Sequence, residues 1–424
     1  MLRFLRPLAS AALLHAAFAA GTPASPLAIR FGSLADGSGK KLSPAVVVVD
    51  NGRIESVGTN ESTIPAGIKV LDLSRYTAVP GLIDVHTHMT FYWDEAPGTT
   101  PYRQTRLLPA ETVYLAGANA RKTLECGVTT VRDLNASDSM DIAMRNLINR
   151  GAMAGPRMFV SSYGLGARPG YVAPNARFDG PAEITRAVRD ILASGADWVK
   201  LFASTGGTQN LTGLQVLTSD EIKAAVEIAH MNGKRVAVHT YGPAAAKVAV
   251  TAGADTIEHA IDLDDETLAE MARRGTYYVP TIDHNRFYAD NAKLFGFGSP
   301  DRFLAFVDRN TETARRALKA GVRIAMGSDA VYNMFGQNTR ELGALVKAGM
   351  TPAQALASAT TTAASLLNMD KNLGTIAPGY YADITAVEGD PLSDVNAIMQ
   401  GVRWVMKGGE VVSDRTRPHK DGVD

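Results

Sequence analysis

The sequence predicts an α/β protein: a (β/α)8 TIM barrel with a small β-sandwich domain built from its N- and C-terminal segments. Three observations predict it. Short β-branched runs alternate eightfold with longer amphipathic stretches, glycines mark the junctions, and chemically capable side chains stand at the ends of the runs. The runs are Leu82 to His86, Val128 to Asp133, Met158 to Ser162, Trp198 to Ala203, Arg235 to His239, Thr256 to His259, Tyr277 to Thr281 and Arg323 to Ser328. Between them, Glu183 to Ser194, Ser219 to Asn232, Asp265 to Arg274 and Asp308 to Ala320 carry helical periodicity. Gly127, Gly195, Gly233, Gly253, Gly275 and Gly321 stand where helices would end. In a parallel barrel the reactive groups project from the C-terminal strand ends. The histidines, the lysine and the aspartate fall there, on the first, fourth, fifth, sixth and eighth runs.

At the N-terminus, Arg3 and Arg6 precede the apolar stretch Leu8 to Ala20, and Ala17-Phe18-Ala19 offers an A-x-A cleavage pattern. Residues 1–20 therefore read as a secretory signal peptide, and the mature protein is expected to be exported, periplasmic or secreted. The stretch is too short for a membrane span of about 20 residues. Leu27 to Phe31, Ala45 to Val49, Arg53 to Val57 and Val70 to Leu73 read as strands, with Asp50-Asn51-Gly52 as a hairpin turn. Near the far end, Thr351-Pro352-Ala353-Gln354 is a helix-opening capping box with proline in the first turn. Strands are expected at Ala382 to Val387, Val402 to Met406 and Glu410 to Val412. Chain ends commonly meet. The expected domains are thus the small β-sandwich at 27–80 plus 370–415 and the barrel at 81–369.

With 424 residues, 46% of them hydrophobic, the chain can bury a large core. Its 43 basic and 43 acidic residues balance without a basic stripe, so no nucleic-acid partner is expected. A single cysteine, Cys126, excludes an intrachain disulfide framework and a cysteine-based zinc site.

His86-Thr87-His88 follows the first apolar run. In a strand, residues i and i+2 share a face roughly 6.6 Å apart, so the two rings can converge on one metal. The residues alone leave open a surface pair. Lys200, His239, His259 and Asp329 complete six candidate ligands.

Pro80-Gly81-Leu82-Ile83-Asp84-Val85-His86-Thr87-His88, Asp197-Trp198-Val199-Lys200, Val238-His239, Ile257-Glu258-His259 and Gly327-Ser328-Asp329, in this order, resemble the amidohydrolase superfamily of the binuclear, carboxylated-lysine type. Lys200-Leu-Phe-Ala-Ser-Thr-Gly-Gly and His239-Thr-Tyr241-Gly are similar to its Xaa-Pro dipeptidase-like and ochratoxin-degrading branch. The resemblance implies two divalent metal ions. His86, His88 and Asp329 would hold one and His239 and His259 the other, bridged by N6-carboxylysine at Lys200. Zinc is the default for such a nitrogen-rich site, though manganese or cobalt would fit the same set. An unmodified ammonium has no lone pair to offer two cations, whereas a carbamate is an anion with two oxygens. A salt-bridged lysine and a Schiff-base nucleophile are the other readings of Lys200. Two metals lower the pKa of a shared water toward about 7, making hydroxide the nucleophile. Asp329 would carry its proton to the leaving amine.

Tyr241, two residues after His239, shares its side of a continued strand and could donate to the substrate carbonyl, or pack as a rim aromatic. His284 follows the seventh run at the same mouth, either bonding to substrate or facing solvent. Long connections are expected after the first, third and seventh runs; they carry Phe91, Tyr92 and Trp93, the stretch Tyr163 to Tyr171, and Arg286 to Phe297. They suit a bulky or aromatic acyl group. Arg168, Arg177 and Arg286 are candidate clamps for a free carboxylate. The resemblance implies a small-molecule amide or peptide substrate, cleaved to release a C-terminal amino acid in the manner of a dipeptidase or carboxypeptidase. It reaches to ochratoxin A, which would give ochratoxin alpha and phenylalanine. Lactone or ester cleavage is the alternative. Deamination is disfavoured, because His239-Thr240-Tyr241-Gly242 lacks the His-x-x-Glu of mononuclear deaminases. A homo-oligomer is expected.

Overall fold

The structure, a computed structural model, describes residues 26–168, 177–207, 211 and 213–416. The expected signal peptide with His15, the end of the stretch Tyr163 to Tyr171, and His419 lie outside the described residues. The strands are β1 (Leu27–Ala35), β2 (Lys41–Leu42), β3 (Ala45–Asp50), β4 (Arg53–Gly58), β5 (Lys69–Pro80), β6 (Leu82–Thr87), β7 (Val128–Asp133) and β8 (Arg157–Val160). They continue with β9 (Trp198–Phe202), β10 (Arg235–His239), β11 (Thr256–Glu258), β12 (Tyr277–Val279), β13 (Ile384–Val387), β14 (Val402–Lys407) and β15 (Glu410–Asp414).

The terminal strands form one eight-stranded sheet in the order β15-β14-β13-β5-β1-β3-β4, with β2 paired to β1. The two chain ends join where β5 runs antiparallel to β13, Pro80 opposite Ile384. The hairpin between β3 and β4 turns through Asn51 and Gly52, both at positive φ, the geometry that Asn-Gly accommodates with least strain. Alternate residues of these strands, among them Ile29, Phe31, Val47, Ile54, Trp404 and Met406, make a separate apolar core. Each such buried side chain contributes about 1.5–3 kcal/mol relative to exposure.

The middle of the chain alternates parallel strands with helices. β6-β7-β8 and β9-β10-β11-β12 are two parallel sheets. Their strands are buried along almost their whole length, the mark of parallel strands covered on both faces. Isolated parallel bridges pair Leu165, in the segment after β8, with Leu201 of β9, Tyr278 of β12 with Ile324 of the eighth run, and Thr87 of β6 with Ala330 just past that run.

Three elements depart from expectation. The eighth run, Arg323 to Ser328, is not a regular strand. Its Met326 N–H donates to the Ser358 carbonyl and Ile83 N–H of β6 to the Ala359 carbonyl, so two groups that would build a ladder are diverted to the end of the helix Pro352–Ser358. Where a long connection was expected after the seventh run, a helix spans Ile282–Asp290. Its first N–H groups are satisfied by a distant carboxylate: Ile282 N and Asp283 N donate to Glu341 at 3.0 and 2.7 Å. A local capping signal is therefore missing from the sequence. The helix expected to begin at Asp308 begins at Asp301, gaining about two turns that bury Phe303 and Phe306. The capping box at Thr351 forms as read. Among the described residues no helix is long and apolar enough to cross a membrane.

Candidate metal centre

His86 is the fifth residue of β6, and His88 lies just past its end. Lys200 is central in β9, while His239 ends β10. His259 follows β11 with φ 69°, and Asp329 follows the eighth run with φ 54°. Left-handed backbone at such residues costs of order 1–3 kcal/mol and persists only where the surroundings impose it. Here Asp329 N donates to the His86 carbonyl at 2.7 Å and His259 N to the Val279 carbonyl at 3.0 Å. Both turns aim a side chain back over the strand ends.

The expected ligands converge there. Ligand atoms of His86, His259 and Asp329 lie within 4.8 Å of one another, all three residues buried. Asp329 Oδ1 is 2.9 Å from His88 Nε2 and 3.5 Å from His86 Nε2. Lys200 Nζ lies 3.4 Å from His86 Nε2. The His239 ring centroid is 4.7 Å from that of His259.

The hydrogen bonds decide which nitrogen of each ring is left for a cation. His86 Nδ1 donates to Glu258 Oε2 at 2.7 Å, so its Nε2 carries the lone pair. His239 Nε2 donates to the Gly206 carbonyl at 2.9 Å, leaving Nδ1. His259 Nδ1 pairs with Thr281 Oγ1 at 2.6 Å, leaving Nε2.

Electrostatics favour the same state. Burial, then Lys200, hold His86 well below the ordinary imidazole range and His239 at about 3. Burial, followed by the neighbouring rings His239 and His86, lowers His259. Neutral imidazole is the form that binds metal. Burial opposes ionisation of Asp329, but His284, His86 and His88 together hold its carboxyl far below the usual range. Lys200 is pulled down to about 8 by burial, against the carboxylates of Glu258 and Asp329. His86 Nε2 stands 3.5 Å from Asp329 Oδ1 with only the long Lys200 contact at 3.4 Å as a donor to it, and Asp329 Oδ1 forms no regular hydrogen bond. Acceptors turned toward one another in a buried site suit a cation between them. The donor set thus fits a divalent metal.

Tyr241 is 2% exposed, its ring 5.1 Å from His239 and 5.5 Å from His259. Burial, then Asp329, keep its hydroxyl protonated well above the usual range. His284 is not on a solvent-facing loop. It sits buried in the first turn of the helix Ile282–Asp290, Nε2 3.3 Å from Asp329 Oδ2. Two proposed carboxylate clamps are already engaged: Arg168 pairs with Asp179, and Arg286 with Asp283 and Asp290.

Sequence reasoning missed the carboxylates behind the site. Glu258 bonds His86 and Arg132, and Asp84 accepts from Ser328 N, Ser328 Oγ and Asn338 Nδ2. Their signal was a charged residue inside a run of otherwise apolar, fully buried strand positions, as at Asp84, Arg132 and Glu258.

The sequence profile of the amidohydrolase family matches residues 77–412. Ochratoxinase of Aspergillus niger is 30% identical, with 90% of this chain and 85% of that protein covered. Among solved structures, a Xaa-Pro dipeptidase with methionine bound in its active site is 30% identical, with a TM-score of 0.84 over 91% of this chain and 99% of that one. The A. niger ochratoxinase structure is 27% identical, with a TM-score of 0.78 over 92% and 96%.

Proposed function

Since this chain belongs to the amidohydrolase family and is a hydrolase acting on carbon–nitrogen bonds, we propose that it cleaves an amide to release a C-terminal amino acid, from dipeptides or N-acyl amino acids including ochratoxin-like amides of phenylalanine. The observation that carries the reading is the buried convergence of His86, His259 and Asp329, with His88, His239 and Lys200 around them. We take the centre to hold two divalent ions, zinc by default. His86, His88 and Asp329 would hold one and His239 and His259 the other, with Lys200, as a carbamate, serving both. When bound, such ions supply Lewis acidity and make hydroxide available at neutral pH.

The chain's own groups carry the rest. Asp329, ionised at neutral pH, accepts the proton of the attacking water and returns it to the amide nitrogen, which departs only when protonated. His284 holds Asp329 in place for both transfers. Tyr241 keeps its proton and donates to the substrate carbonyl oxygen.

A chain of aromatic rings supports a bulky acyl or side-chain group. Phe91 stacks on His88 at 4.8 Å, Tyr332 lies 5.9 Å from Phe91, and Tyr102 lies 6.0 Å from Tyr332 and is 42% exposed. The likeness to a Xaa-Pro dipeptidase and to ochratoxinase supports the same substrate class. With this reading go a closed (β/α)8 barrel over 81–369, supported by the bridges between the parallel sheets, and a small β-sandwich from 27–80 plus 370–415. The same reading takes residues 1–20 as a leader for export and the protein as a homo-oligomer.

The test is metal content by mass spectrometry on the mature protein, with a release assay on N-acyl amino acids and dipeptides differing only in the C-terminal residue. About two metals per chain with amino-acid release is the expected result. Two metals without release would turn the reading toward esters or lactones.

A further inference from the structure

Resting on that reading of the site, we propose that Glu258, clamped by Arg132, is the positioning residue of the metal centre: it sets the tautomer and orientation of His86 and makes it a stronger metal donor. Glu258 Oε2 lies 2.7 Å from His86 Nδ1. Its other oxygen accepts from Arg132 Nη2 at 2.8 Å and from Thr256 Oγ1. Arg132 donates through Nε to the Val85 carbonyl at 2.5 Å and through Nη1 to Thr256 Oγ1 at 3.1 Å, and its guanidinium lies 4.5 Å from the Trp198 ring centroid. Val85 immediately precedes His86. One guanidinium therefore grips the backbone beside the ligand and, through Glu258, the ligand's ring.

A purely architectural role would be a poor use of these groups. Arg132, Glu258 and His86 are all 0% exposed, and burying the Arg132 and Glu258 charges costs several kcal/mol each that an apolar trio would not incur. What an apolar trio could not do is hold a proton on Nδ1 and so aim the Nε2 lone pair at the centre. The other rings are anchored more weakly: His259 Nδ1 meets a hydroxyl and His239 Nε2 a peptide carbonyl. A carboxylate on the remote nitrogen raises imidazole basicity, and its loss costs roughly 10–100-fold in metal affinity. The ion held by His86 should accordingly be the one retained longest.

The experiment compares wild type, Glu258→Gln and Arg132→Lys, full-length and stripped of metal, by titration with Zn2+ against a chromophoric chelator. Glu258→Gln keeps the size and an acceptor oxygen but removes the charge. One zinc equivalent should weaken by about 10–100-fold with the other nearer wild type, and Arg132→Lys should fall between. Independently of any substitution at Glu258, the metal-free wild type labelled with 15N-histidine should show a downfield, exchange-protected Nδ1 proton, assigned by its loss in His86→Asn. This spectrum decides the matter should Glu258→Gln not fold. Unchanged affinity for both equivalents in Glu258→Gln, or a His86 that carries no Nδ1 proton, overturns the proposal. A wild type that takes up no zinc overturns instead the reading of the site as a metal centre.

Discussion

His284 and Asp329 are joined at two points: His284 Nδ1 donates to the Asp329 carbonyl at 2.8 Å, and Nε2 stands 3.3 Å from its Oδ2. One ring thus braces the backbone of a residue held at φ 54° and stands beside its carboxylate. His284→Ala should leave Asp329 free to rotate away from the reacting atoms, lowering kcat about 10²-fold or more with metal content unchanged. Steady-state kinetics beside metal analysis checks this. A loss confined to KM would instead make His284 a substrate contact.

Lys200→Ala removes the buried amine 3.4 Å from His86 Nε2 that we propose serves both ions as a carbamate. Most activity should go, and a small carboxylate such as formate should restore part of it by filling the vacated anion position. Full turnover in the metal-bound variant would sink the bridging role.

Metal removal should act on stability as well as activity. A ligand at about 1,000 times its dissociation constant stabilises the native state by about 4 kcal/mol. Dialysis against a chelator should lower the unfolding temperature, and zinc should raise it again. Scanning calorimetry of the two forms reads the difference.

Gly206 has φ +113°, and a Cβ there would fall 2.3 Å from Tyr241 Cδ2. Its carbonyl also holds His239 Nε2. Gly206→Ala is therefore strained twice, in backbone and in contact, and should displace the Tyr241 ring and loosen His239. The expectation is a fall in kcat/KM of about tenfold or more, since a 1 Å misplacement can cost about 10²-fold. A crystal structure of the variant would show whether Tyr241 has moved.

Lys407, at the end of β14, donates to the Gly155 carbonyl at 2.6 Å, and burial, then Arg157, lowers its pKa to about 8. The unfolded chain releases that proton near 10.5, so between about pH 8 and 10.5 the unfolded state binds more protons and the native state gains stability as pH rises. Below pH 8 the burden of the buried charge is fully present. Relative to Lys407→Met, wild type should therefore gain unfolding free energy across that window, measured by urea titration at several pH values.

Much of the site was legible because its ligands stand at fixed places in a repeating pattern. His86, His239, His259 and Asp329 each sit at or near the end of an apolar run, as expected, whereas Lys200, expected at a run's end, lies in the middle of β9 with its amine reaching His86. What escaped was nonlocal. The helix Ile282–Asp290 is capped by Glu341, roughly sixty residues away, and a helix whose cap lies elsewhere in the chain leaves no start signal of its own. The eighth run bonds to β12 through Arg323 and Ala325 and to β6 through the Met326 carbonyl, but its Met326 N–H goes to the Ser358 carbonyl, a competition that no window of the run itself contains.

The sequence by itself determined the identity and order of the candidate ligands, the alternation of strands and helices, the Asn-Gly hairpin and the capping box at Thr351, since these depend on periodicity and on bonds spanning a few residues. Only the tertiary structure decided that Glu258 and Arg132 stand behind His86, that His284 braces Asp329, and that Arg168 and Arg286 are already paired. The reason is physical. A buried polar group must find its partner wherever the fold supplies one, and that partner is chosen by packing in space, not by distance along the chain.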